Sequence, residues 1–189
     1  RQMCIRDRRM AVALKPSAPM AFTYHHNRLE AYYPLVVAIL DAGLIPTACF
    51  PCPSEMGASI HISGTRSSVV DTIFVCRHSK TVLQPPSPYT IESFAKLIEK
   101  DLIHLRKGGL KPTEGDALCI AYGHLTRWTI LRFQGRWDSN LPVSEKLRLV
   151  EAEVKSLLPA EEIQPLIATA LKKIDAPYSQ DVDTERPLM

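Results

Sequence analysis

No run of apolar residues in this chain approaches the ~18 needed to cross a bilayer, and no signal-peptide pattern opens it. The expectation is therefore a protein without a membrane partner and with a cytoplasmic location. A concentrated basic stretch is missing too. The net charge is +3, but the first nine residues alone supply it, through four arginines against Asp7. Duplex-binding surfaces usually show as a basic patch, because phosphate neutralisation provides most non-specific affinity. Net charge gives no support for such a patch in residues 10–189. The five cysteines, Cys4, Cys49, Cys52, Cys76 and Cys119, are odd in number and scattered, which does not suggest a secreted disulfide framework. Cys49-Phe50-Pro51-Cys52 has CxxC spacing with His61 nearby, yet a structural zinc normally draws four ligands from two such clusters. The second pair is absent, so these cysteines read as small structural residues and no metal is expected. No internal repeat is visible.

What is present is the composition of a globular protein. Of 189 residues, 46% are hydrophobic and 23% charged, and the mean hydropathy is −0.06. That length suits one ordinary domain or two small ones. The opening RQMCIRDR starts at Arg1 rather than Met and has neither helical nor strand periodicity. It resembles translated adapter sequence of the kind that contaminates metagenomic assemblies, so residues 1–9 are set apart from the fold. On that reading the native chain is cut inside a helix ending near RRMAVALKP.

Lys15-Pro16 should stop that first helix, since the residue before proline disfavours αR. Met20 to Tyr24 suits a short buried parallel strand. Asn27 offers an N-cap, with Glu30 three residues on completing a capping-box-like pattern. Leu35, Val36, Ile39 and Leu40 recur at helical spacing, and Gly43 supplies the stop. Pro34 requires the helix to kink or to restart with proline in its first turn. Thr47 to Phe50 reads as a strand ended by Pro51 and Pro53, Ser54 to Ser68 as an exposed loop, and Val69 to Cys76 as an inner strand. A proline-rich linker then gives way to helices. Thr90 caps the first, with a stripe of Ile91, Phe94, Leu97, Ile98, Leu102 and Leu105 ending at Gly108-Gly109. Asp116 caps a second that runs toward Trp128. A third spans about Val143 to Leu158, and a fourth, strained by Pro165, Glu161 to Ile174.

The order strand, helix, strand, long loop, strand is how class I S-adenosylmethionine-dependent methyltransferases finish their sheet, with the last strand inserted antiparallel beside its neighbour. LKPSAPMAFTYHHN, the helix ending in DAGL, PSEM and VVDTIFVCR resemble the C-terminal motifs of the large bacterial adenine-specific DNA methylases. The resemblance covers Arg9 to Arg77, and extends more weakly through GDALCIAYGHLTRWTILRFQGRWD, which is similar to the helical region those proteins carry after the methylase core. It implies an α/β fold: the C-terminal half of a Rossmann-like methyltransferase sheet followed by a helical region. The implied organisation is a partial α/β domain at 10–80, a linker at 81–89, a helical region at 90–176 and a loose tail at 177–189. The parent protein would take S-adenosylmethionine as cofactor and DNA as partner, and methylate adenine N6 after flipping the base from the duplex. In such enzymes an Asp/Asn-Pro-Pro-Tyr/Phe motif aligns the target amine and a glycine-rich turn holds the donor, so catalysis is largely positioning. Neither is present in this chain, both being expected upstream of Arg1. No catalytic residue is therefore assigned in it, and no activity is expected from it alone. Gln84-Pro85-Pro86-Ser87 looks like the amine-gripping motif only superficially, because both end residues differ and it follows the last strand.

Several residues remain candidates for binding. His25, His26 and Asn27 sit at the carboxyl end of an expected strand, where open α/β sheets bind ligands. They are either pocket wall or a capped turn with two satisfied imidazoles. Glu55, Met56 and His61 fall in the loop whose counterpart packs near the flipped base in the resembling enzymes, or in a plain surface loop. Asp71 in an apolar strand is either paired with a cation such as Arg77 or placed at a bulge, since an unpartnered buried carboxylate is costly. Arg127, Arg132 and Arg136 interleave with Trp128, Phe133 and Trp137, which is the pattern of a core segment with snorkelling arginines, or of phosphate and base contacts. The alternatives to the methylase are a non-catalytic binding or scaffold module and a methyltransferase part acting on RNA or a small molecule. Oligomeric state is not readable.

Overall fold

Residues 9–13 open the described fold as a helix that ends ahead of Lys15-Pro16. The computed structural model describes residues 9–54, 68–82 and 89–175, which form a mixed α/β fold around a three-stranded antiparallel sheet. The strands are β1 (Met20–Tyr24), β2 (Leu44–Pro53) and β3 (Val70–His78). They lie side by side in the order β1-β3-β2, with β3 antiparallel to both neighbours. β1 and β2 therefore run in the same direction with the last strand reversed between them.

The expected parallel strand at Met20–Tyr24 is corrected in its pairing. Its ladder is antiparallel, with Phe22 opposite Phe74 and Met20 opposite Cys76, and its residues alternate between half-buried and exposed. An edge strand packed on one face gives that alternation, whereas a continuous buried run needs both faces covered. β3 is the inner strand, as expected: Val70, Thr72, Phe74 and Cys76 are buried, and the residues between them are half-buried.

β2 is longer than expected and runs through Pro46, Pro51 and Pro53. It tolerates them because it lies at an edge of the described sheet, where among the described residues one side of the strand has no ladder to feed. The register slips between Pro46 and Ala48, so Thr47 is the extra residue of a bulge. The Thr47 hydroxyl donates to Val75 O at 3.1 Å, and Arg127 Nε and Nη2 donate to Pro46 O and Thr47 O at 3.4 Å each.

The connection from β1 to β2 departs from the capping expected at Asn27. A 3-10 turn, Leu29–Ala31, has Arg28 at its N-cap with no side-chain cap bond, and α1 (Tyr32–Asp41) begins only after it. The restart puts Pro34 in the first turn of α1, where its missing N–H removes no helical bond. The Tyr24 hydroxyl fixes the turn by donating to Ala31 O at 2.8 Å. Gly43, at φ +68°, ends α1 in the left-handed conformation that glycine adopts without strain.

Four helices follow: α2 (Ile91–Lys107), α3 (Glu114–Phe133), α4 (Val143–Leu157) and α5 (Ala160–Asp175), with Pro165 inside α5. Thr90 caps α2 in a reciprocal box with Ser93. The expected cap at Asp116 moves to Thr113, and Asp116, the third residue of α3, closes that box. α3 is buried nearly all round and packs against β2 and β3 on one side and the other helices on the rest. One cluster of buried side chains joins Val36 of α1, Phe74 of β3, Phe94 of α2, Leu125 of α3, Val150 of α4 and Ile167 of α5. Lys146 of α4, only 3% exposed, binds both carboxylate oxygens of Asp41 at 2.8 Å and Ser139 O at 2.7 Å. Trp137 Nε1 donates to the same Asp41 carboxylate at 2.9 Å. Among the described residues, no helix is long and apolar enough to cross a membrane.

Gly123 marks where α3 lies closest to the sheet. A Cβ there would sit 2.7 Å from Thr72 Cγ2 and 3.2 Å from Cys49 Sγ. Gly123→Ala should therefore lower stability by about 1–2 kcal/mol net, because overpacking outweighs the helix propensity gained. Urea denaturation checks this: a stabilised variant would show that the helix and sheet separate freely.

Candidate functional site

His25 follows the last residue of β1, so it lies on the carboxyl rim of β1 and β2 and beside the start of β3. Tyr32, the first residue of α1, and Cys119 of α3 close in from the helical side. His25 Nδ1 lies 3.0 Å from Val70 O, which places the ring proton on that nitrogen as donor. The Cys119 sulfur is 3.6 Å from the same nitrogen, 3.5 Å from Thr72 Oγ1 and 3.9 Å from the Tyr32 hydroxyl. Tyr32 also reaches His26 O at 3.4 Å. Asp71 Oδ1 stands 3.9 Å from His25 on the outer side.

Burial keeps the two acidic hydrogen-bonding groups of this cluster, Cys119 and Tyr32, protonated. Burial pushes the Cys119 thiol up, with hydrogen bonds from Thr72 and Tyr32 opposing it. Burial also pushes the Tyr32 phenol far up, and the neighbouring Cys119 adds to that. A thiol held protonated is a poor nucleophile, so the cluster is not set for covalent catalysis. Tyr24, Tyr32 and Tyr122 pack edge to face behind it, with ring centroids 4.9 and 5.6 Å apart.

The other expected site residues fall as follows. His26 and Asn27 are exposed, and His26 Nδ1 accepts from Arg28 N at 3.0 Å, closing a local turn. Glu55, Met56 and His61 lie outside the described residues, as do Gln84 to Ser87. Arg127 is turned inward onto the β2 bulge, and burial lowers its guanidinium pKa. Arg132 Nε donates to Glu153 at 2.8 Å, and Arg136 lies 3.9 Å from the same carboxylate. Two of the three arginines thus share a face with Glu153 while the third serves the sheet. Asp71 is neither paired with Arg77 nor at a bulge, and His25 is the basic side chain beside it. Asp71 lies in regular register opposite Cys52, and Arg77 instead donates to Ser17 O. Six residues of extended strand span about 20 Å, too far for the two side chains to pair.

Cys119, which meets His25, and Tyr32 and Thr72, which meet Cys119, were not legible as site residues, since the tertiary fold alone brings them together. The buried pair of His124 Nε2 and Asp101 Oδ2, 2.7 Å apart on different helices, was missed likewise. An aspartate one residue from Leu102 in the α2 stripe was the available signal. Cys49, Cys52, Cys76 and Cys119 are free thiols, and burial is the leading cause raising each of them. Among the described residues, no group of three or more His, Cys, Asp or Glu side chains is placed to hold a metal ion. No protein-family model, curated protein or solved structure matches the chain.

Proposed function

We propose that this chain is the closing part of an S-adenosylmethionine-dependent adenine-specific DNA methyltransferase, inactive alone. The observation that carries the reading is the reversal of β3 between β1 and β2, two strands of common direction joined through α1. That arrangement fits a sheet whose last strand inserts antiparallel beside its neighbour. The position of His25 at the carboxyl rim of β1 supports a ligand-facing edge at that end.

The rim by itself does not fit the methyl donor. His25 Nδ1 is committed to Val70 O, Cys119 and Tyr32 are neutral and buried, and the sequence offers no glycine-rich turn. In this reading the donor site and the amine-gripping motif are supplied by residues other than these, and no chemical step is assigned to the present chain. Its role is to complete the sheet and to wall the target-base side with His25.

Recovering the native coding sequence that precedes Met10, in place of residues 1–9, tests this. The expected result is an in-frame glycine-rich turn and an Asp/Asn-Pro-Pro-Tyr/Phe motif. Labelled methyl transfer to adenine N6 should then be seen with the extended protein and not with residues 10–189. Transfer by residues 10–189 alone, or an upstream frame without both motifs, overturns the proposal. The second reading, a binding module without catalytic ancestry, draws on the local hydrogen bonds that satisfy His25 and His26. A start codon near Met10 would favour it.

A further inference from the structure

Phe50, Pro51 and Pro53 of β2 face Asp101, His104 and Leu105 of α2 across an open cleft of about 400 Å3. That volume falls in the range of small-molecule pockets. Apart from Asp101 and His104 these lining side chains are apolar. Asp101 is 9% exposed, and its Oδ2 accepts from His124 Nε2 at 2.7 Å. His124 is 4% exposed, and its Nδ1 is buried with no hydrogen-bond partner among the described residues. The cleft wall therefore carries a carboxylate, and its negative charge is felt at Cys49.

The surroundings reinforce that sign. α2 ends at Lys107 with Gly108 as its cap, so the negative end of the helix dipole borders the cleft. Arg106 and Lys107 line a different groove, with Ile103, Lys173 and Ile174. Arg127, one turn beyond His124, has its guanidinium on the carbonyls of Pro46 and Thr47. Cys49 is near enough for the Asp101 charge to add to the burial that holds its thiol protonated.

We propose that this cleft binds a small organic ammonium ion carrying an apolar or aromatic substituent. The ammonium lies against Asp101, and the substituent lies on Phe50, Pro51 and Leu105. The Phe50 ring, 42% exposed at the cleft edge, offers a further cation-attracting face. One carboxylate is too few oxygen ligands for a hard inorganic cation, and the apolar walls favour a weakly hydrated one. The ammonium belongs to a free amine or to a lysine side chain of another polypeptide. This inference does not rest on the methyltransferase reading.

An NMR titration of the full 189-residue chain with benzylamine near neutral pH tests it, with benzyl alcohol as the uncharged analogue. Benzylamine should shift the amide signals of Gly108 and Leu110, and benzyl alcohol should bind about tenfold more weakly or less. Asp101→Asn should weaken benzylamine binding about tenfold or more, and Phe50→Ala severalfold. Should Asp101→Asn fail to fold, Phe50→Ala and the alcohol comparison decide, because Phe50 is largely outside the core. Stronger shifts with Nα-acetyllysine amide would identify a lysine side chain as the source. Absence of shifts up to about 10 mM benzylamine, the range for a weak fragment, would overturn the proposal. So would equal binding of amine and alcohol, or unchanged affinity in the folded variants.

Discussion

Replacing Asp41 with alanine should cost about 3–5 kcal/mol of stability. Lys146 brings three ammonium donors into the interior, and three acceptors meet them: both oxygens of Asp41 and the Ser139 carbonyl. Removing Asp41 leaves a buried cation with one acceptor and also strands Trp137 Nε1, whose partner is the same carboxylate. The cost is dominated by the unpaired charge rather than by the worth of the pair. The double variant Asp41→Ala/Lys146→Met should accordingly recover much of the loss, because a well-packed apolar replacement of a buried pair is often close to neutral. Urea denaturation of the two variants separates these terms. A single-variant loss under about 1 kcal/mol would mean that Lys146 behaves as a hydrated surface cation.

Asp116→Ala should cost about 3 kcal/mol or more. Oδ2 of this buried carboxylate accepts from Thr113 N and Thr113 Oγ1, both at 2.8 Å, and Oδ1 from Ser68 Oγ at 2.9 Å and Val69 N at 2.8 Å. One side chain thus caps α3 and pins the residues leading into β3 to it. The isosteric Asp116→Asn should also be costly. Whichever way the amide is placed, its NH2 faces a backbone N–H, that of Thr113 or that of Val69. Asparagine is therefore expected to lose about 2 kcal/mol, read by thermal or urea unfolding. Faster hydrogen exchange at Val69 should accompany it. An asparagine variant as stable as the parent would show that the Ser68–Val69 contacts are not maintained.

The helices were the legible part of the fold. Their apolar stripes and the Thr90 cap, with Gly43 and Gly108 as stops, act through local geometry, and local geometry is what a sequence carries. Asp116 shows the limit. A carboxylate before an apolar run signals a helix start, but whether it occupies the cap or the third position depends on Thr113 and on contacts from Ser68. The strands were found, and a reversed last strand was expected from the family resemblance, but the residues themselves did not give the pairing of the first strand. Whether Met20–Tyr24 takes a parallel or an antiparallel neighbour is decided by β3, some fifty residues further on. The prolines of β2 are permitted by an edge position that no pattern announces. For the same reason His25 was legible as a rim residue, while Cys119, Thr72 and Tyr32 around it were not. Asp101 and His124 belong to two helices whose faces each looked complete without the other.

The strand order also governs how the chain comes together during synthesis. β1 and β2 are neighbours in sequence but not in the sheet, so no hairpin between them can act as a seed. Both wait for β3, and closing the β1–β3 ladder spans a long loop whose entropy is lost before any ladder bond compensates. Among the described strands, the last to leave the ribosome is the one that gives the other two their hydrogen-bonding partner. Until then, among the described elements, Met20–Tyr24 and Leu44–Pro53 share only the α1 connection between them.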